Sequence, residues 1–185
     1  MDDERTPPNL TLRVGLAAIA GIVAQILLLA IPAHGRPDHI MGAFVLLPPS
    51  VGPTLCVARA LRRARVLFPG AHGVPIALAI GGCHLAAILL CLFVSTGASF
   101  VDGGGGLLLM SIVGTVPIAV AVWRLARWWD WGNAFWMLGA GTAVGAVAAL
   151  VSGQPMLMLV TTVLWTAAIG FVAGRWLAQA MIPEG

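Results

Sequence analysis

The chain alternates long apolar stretches with short polar or basic connections. Six stretches stand out, near Val14–Ile31, Ile40–Val57, Val74–Val94, Leu107–Val122, Ala134–Val151 and Met156–Gly174, each free of Asp, Glu and Arg. A hydrocarbon core about 30 Å thick is crossed by roughly 20 apolar residues at about 1.5 Å rise per residue, so each stretch has the length of a membrane helix. The runs are continuous rather than alternating, which excludes the strands of a membrane barrel, and lipid tolerates no open backbone. The pattern predicts an all-α fold: a polytopic membrane helix bundle with six transmembrane helices, forming one integral membrane domain over all 185 residues.

The second stretch is interrupted at Leu46-Leu-Pro-Pro-Ser-Val-Gly-Pro-Thr54. Pro48, Pro49 and Pro53 lack an amide donor and crowd the preceding turn, and Gly52 adds backbone freedom, so the second helix is expected to be broken at Pro48–Pro53. Two readings stay open. A break near the midplane exposes carbonyls and half-helix ends that can hold a solute, and it can equally be a packing kink. Pro117 predicts a lone kink, and Pro75 and Pro155 stand at helix starts. Gly141-x-x-x-Gly145 and Gly170-x-x-x-Gly174 predict close helix packing, within the chain or between copies. No three-plus-three repeat is visible, because the prolines of span two have no counterpart in span five.

Composition narrows the class. With 59% hydrophobic residues, 9% charged residues and a mean hydropathy of +0.97, a water-soluble domain is excluded. Lysine is absent, so all 10 cationic side chains are arginines. Arg5, Arg13, Arg59, Arg62, Arg63, Arg65, Arg124, Arg127 and Arg175 fall on one side of the expected spans and Arg36 alone on the other. The positive-inside rule then places both termini in the cytoplasm, with a bacterial cytoplasmic membrane as the setting. Trp123, Arg124, Arg127, Trp128, Trp129 and Trp131 form an interfacial belt after span four, read either as a membrane-surface anchor or as a docking site for a partner. The acidic leader Asp2-Asp3-Glu4 and the long first run argue against a cleaved signal peptide, despite the small-x-small string Ala33-His34-Gly35.

All 7 acidic residues lie outside the spans. That removes the buried carboxylate relay of many pumps, an aspartyl intramembrane protease, and the aspartate-held magnesium of prenyl transfer. No His-Glu-x-x-His or serine-nucleophile context occurs, so no catalytic residue, metal site or cofactor is expected. His34, Asp38 and His39 form the one outer-face group that could bind zinc, or simply stay hydrated. His84, within span three, either makes an interhelical hydrogen bond or serves a solute or proton path. Cys56, Cys83 and Cys91 read as small packing residues. Thr161, Thr162 and Thr166 are expected to bond carbonyls of their own helix, whereas the Gln25 amide demands a partner on another helix or water.

From Ala43 to Arg127 the chain resembles the lysine and homoserine/threonine exporter superfamily. The motifs that carry the likeness are Val51-Gly52-Pro53, the basic run Arg62-Arg63-Ala64-Arg65, Gly81-Gly82-Cys83-His84 and Trp123-Arg124. Val51 stands where the family has the first proline of its triplet, one helix precedes the segment, and two spans follow where the family has three. The resemblance implies export of a small solute past the proline-broken helix.

The expected function is therefore a carrier or permease-type transporter of a neutral, zwitterionic or lipid-like solute, with a pathway formed by Gln25, Pro49, Ser50, Gly52, Pro53 and His84. The alternative is a structural or assembly subunit of a larger membrane complex. Expected partners are membrane lipids, and further copies or other membrane subunits through small-residue helix faces; no feature suggests nucleic acid.

Overall fold

The computed structural model describes residues 9–44, 47–64, 80–83, 85–86, 105–126 and 129–180. Its long elements are α1 (Leu10–Ala30), α2 (Pro37–Ala43), α3 (Val51–Arg63), α4 (Gly105–Ala126), α5 (Trp131–Leu150) and α6 (Pro155–Gln179). No strand occurs among the described residues, and the fold is all-α. Three helices, α1, α5 and α6, are long and apolar enough to cross a membrane, and Ser111–Ala126 within α4 is a shorter apolar helix.

The first, fourth, fifth and sixth expected spans correspond to α1, α4, α5 and α6. The second is divided into α2 and α3. The third lies outside the described residues apart from 80–83 and 85–86, which are helical. The interruption is earlier than the residue types suggest: α2 ends at Ala43 and α3 already begins at Val51, so Pro53 sits inside the first turn of α3. The first N–H groups of a helix have no intrahelical acceptor, so a proline there sacrifices no hydrogen bond. Pro48 and Pro49 make the break, because each removes a donor and disfavours helical geometry in the residue before it. Pro117 lies within α4, which continues across it. Pro155 opens α6 as expected.

Close packing is supplied by small residues. A Cβ at Gly170 would lie 2.6 Å from the Ala18 Cβ, and one at Gly174 would lie 2.8 Å from the Thr11 carbonyl oxygen. The Gly15 face meets the Phe171 ring. These contacts interlock α1 and α6 in antiparallel fashion. Gly141 abuts the Thr115 hydroxyl, and a Cβ on Gly145 would come 2.6 Å from the Ser111 Cβ, which joins α4 and α5 in the same way. Both glycine pairs are therefore used within the chain.

The antiparallel order gathers Arg13, Arg59, Arg62, Arg63, Arg124 and Arg175 towards one end and leaves Arg36 at the other. The core at the arginine end includes Leu10, Val14, Leu61, Met137, Trp176 and Leu177, all buried. A smaller cluster at the opposite end joins Ile22, Ala33, Ile40, Phe44 and Leu159. Between the two, α1 crosses α3 at glycine: a Cβ on Gly21 would stand 2.6 Å from the Gly52 oxygen and from the Pro53 Cα.

This crossing gives a clear contrast. Gly21→Ala is expected to destabilise the protein by about 1–3 kcal/mol, the usual range for overpacking against backbone that cannot yield. Gly139→Ala in α5, where the added methyl meets nothing within 4 Å, is expected to leave stability unchanged or raise it. Thermal unfolding of the two variants in mild detergent checks the difference.

Candidate functional site

The polar centre of the molecule is the junction of α1 with the break. Gln25 is buried, with 4% of its surface exposed. Its Nε2 donates to the Leu47 and Pro48 carbonyls, both at 2.9 Å, and its Oε1 accepts the Gly52 N–H at 2.8 Å. In an uninterrupted helix the Gly52 N–H would bond the Pro48 carbonyl directly. One carboxamide from a neighbouring helix therefore stands in the gap and bridges the two. The remaining bonds are local: Val51 N–H reaches the Pro48 oxygen at 3.1 Å, and Thr54 gives both its N–H and its hydroxyl to the Ser50 carbonyl, at 3.0 and 2.7 Å.

Beside this junction, towards the arginine end, α1, α3, α4 and α6 enclose a cleft of about 740 Å³ including its mouth. Among the described residues its wall is apolar except for Ser50, Thr54, Thr166 and the Trp165 indole. The Thr54 and Thr166 hydroxyl protons go to backbone carbonyls, the second to Thr162 at 2.9 Å. To an occupant these threonines offer acceptor lone pairs and no charge. Ile80 contributes from the short helical piece at 80–83.

The expected pathway residues thus separate into two groups. Ser50 and Pro53 line the cleft, whereas Gln25, Pro49 and Gly52 are not among its lining residues. Gln25 acts from behind as the clamp of the break. His84, Cys91, Arg127 and Trp128 lie outside the described residues. Thr162 and Thr166 bond the carbonyls four residues earlier, and Thr161 bonds Met158 three residues earlier. Cys56 is half-buried and Cys83 is exposed, both as free thiols.

At the arginine end, Trp129 is the centre of an indole cluster. Trp123, Trp131 and Trp176 meet it edge to face, at centroid distances of 5.7, 5.2 and 5.6 Å. Such geometry aligns the positive ring edge of one partner with the negative face of the other. The Arg124 guanidinium lies 5.8 Å from the Trp123 ring centroid. The adjacent cap is a polar network: Asp130 accepts the Gly132 N–H at 2.8 Å and an Asn133 amide bond at 2.6 Å, and Asn133 also donates to Gln179. Asn133 and Gln179 were not singled out from residue type. An Asn three positions after an N-cap Asp was the available signal.

At the opposite end, Asp38 is paired with Arg36 at 2.8 Å, which holds its carboxyl below the usual carboxylate range. His39 stands 3.7 Å from the same carboxylate. Among the described residues no three His, Cys, Asp or Glu side chains are grouped to hold a metal. Comparison of the chain with protein-family models, curated proteins and solved structures finds no match in any of the three.

Replacing Gln25 with Leu keeps the volume and removes the clamp. The Leu47 carbonyl and the Gly52 N–H then lose their Gln25 partner and the Pro48 carbonyl keeps only the Val51 N–H; a group left unsatisfied costs about 1–3 kcal/mol, less whatever relaxation recovers. We expect Gln25→Leu to be among the most destabilising single changes in α1. Amide hydrogen exchange should report faster exchange at Gly52 than in the unaltered protein; an unchanged Gly52 rate and unchanged unfolding midpoint would refute the clamp.

Proposed function

We propose that the protein is a small carrier of the bacterial cytoplasmic membrane, permease-type, with six spans and both termini in the cytoplasm. It moves a neutral, zwitterionic or lipid-like solute through the cleft between α1, α3, α4 and α6. The observation that carries this reading is the cleft itself, set against a proline-broken helix whose freed backbone groups are held by Gln25. Broken helices in transporters place irregular backbone beside the solute site. The uncharged, mostly apolar wall favours an occupant with an apolar body and an N–H or O–H group to present to Thr54 and Thr166. The likeness of residues 43–127 to the lysine and homoserine/threonine exporters supports the same assignment. The arginine distribution supports the orientation, since basic residues favour the cytoplasmic side.

A second reading, a structural or assembly subunit, is favoured by the exposed aromatic face of Trp131, Phe135 and Trp136. Stoichiometric co-purification of another membrane protein in mild detergent would favour it over the carrier.

The carrier reading is tested in two steps. A thermal-shift screen against neutral amino acids, medium-chain amides and medium-chain alcohols identifies a ligand, and proteoliposomes then measure its movement. Ala121→Phe, which fills the cleft, and Ser50→Val are expected to slow transport by about tenfold or more, equivalent to about 1.4 kcal/mol. Unchanged transport in both, and in His84→Ala, would reject the pathway. For orientation, alkaline phosphatase fused after Gly185 should be inactive and a fluorescent protein at the same position should fluoresce; the reverse result would overturn the topology.

A further inference from the structure

The outer face of the α4–α5 pair carries a second cavity, separate from the cleft. It is a furrow of about 450 Å³ including its mouth, lined by Val116, Ala119, Val120, Ala134, Phe135 and Leu138, with Trp129 and Trp131 at one end. Its shape follows from side-chain size. Ala119 and Ala134 are buried and form a low floor, while Val116 and Val120 on one side and Trp131 and Phe135 on the other are exposed and stand as walls. On α4 the wall residues recur every fourth position, and the next step along that row is Arg124.

We infer that this furrow is a binding site for one acyl chain of an anionic phospholipid, whose phosphate is held at the arginine end by Arg124. From Val116 to Arg124 the row rises about 12 Å, close to the roughly 15 Å depth of one leaflet's hydrocarbon. A chain lying in it therefore brings its headgroup to the level of Arg124. The polar groups there suit a phosphate. Arg124 is exposed and lies over Trp123, and Trp123 meets Trp129 edge to face. Nearby Asp130 accepts hydrogen bonds from Gly132 and Asn133, so its carboxylate oxygens are engaged in the helix cap. An exposed guanidinium in line with an apolar furrow of leaflet depth favours a lipid with a phosphate and no compensating cation over a zwitterionic one. The inference is independent of solute transport.

The test uses the full chain reconstituted in vesicles of brominated phosphatidylcholine, which quenches tryptophan fluorescence, titrated with unbrominated phosphatidylglycerol. For the unaltered protein, fluorescence should recover at low phosphatidylglycerol fractions, corresponding to a preference of about fivefold over phosphatidylcholine, the scale expected for one interfacial arginine. Arg124→Gln should bring that preference close to one. Val120→Phe, which narrows the furrow from an exposed position, and Ala119→Leu, which raises its floor, should each reduce it while leaving Arg124 in place. No preference in the unaltered protein overturns the site. A preference lost in Arg124→Gln yet unchanged in both furrow variants also overturns it, because that result is surface charge alone. Displacement of the lipid preference by a co-purifying protein seated on Trp131 and Phe135 would assign the face to a protein partner instead and overturn the proposal.

Discussion

Buried backbone amides and carbonyls have no water to turn to, and the break between α2 and α3 leaves several of them without helical partners at once. Pro48 and Pro49 take away donors, the helix stops, and Leu47, Pro48 and Gly52 are left facing α1. The side chain of Gln25 answers with matched chemistry: a primary amide has two donors and an acceptor, and all three kinds of contact are made. The bridge is possible only because Gly21 and Gly52 let the two backbones approach until a methyl on either would collide with the other. Glutamine and glycine one turn apart on α1 form a single device, one closing the distance and the other spending it on hydrogen bonds.

The rest of the bundle is arranged around that fixed point. Elsewhere the helices are joined by close contacts at small residues, Gly170 and Gly174 of α6 against α1, and Gly141 and Gly145 of α5 against Thr115 and Ser111 of α4. The cleft opens where such contacts stop, between the broken helix and α4 and α6. Among the described residues its wall has acceptors and no charge, in line with a chain whose acids all lie outside the apolar stretches. The arginine end is built differently, from stacked indoles and an Asp130–Asn133–Gln179 cap, as suits a layer where water and headgroups meet the protein.

Much of this was readable from residue types. Apolar run length located α1, α4, α5 and α6, and the proline cluster announced a divided second helix. Gln25 stood out because a lone amide in an apolar stretch must find a partner. The limits of the break were less legible, since a proline in a first turn looks like a breaker and behaves as a starter; Pro53 belongs to α3. Gln25 was read as lining a path, and its bonds instead run to backbone, because residue type reveals a hydrogen-bonding need and says nothing of which carbonyls will meet it. The central place of Trp129 among four indoles, and the Asn133–Gln179 bond across 46 positions, depend on helix ends meeting in space and leave no local pattern. His84 lies outside the described residues.

The clamp also orders events in time. The carbonyls and the amide that satisfy Gln25 lie 22 to 27 positions further along the chain. At about 5–20 residues per second, the ribosome adds Gln25 roughly 1–5 seconds before those partners exist. During that interval α1 carries an unsatisfied carboxamide, and it settles only when α3 arrives with Gly52. The earliest product of synthesis with every bond of the clamp made is thus the α1–α3 pair rather than its first helix.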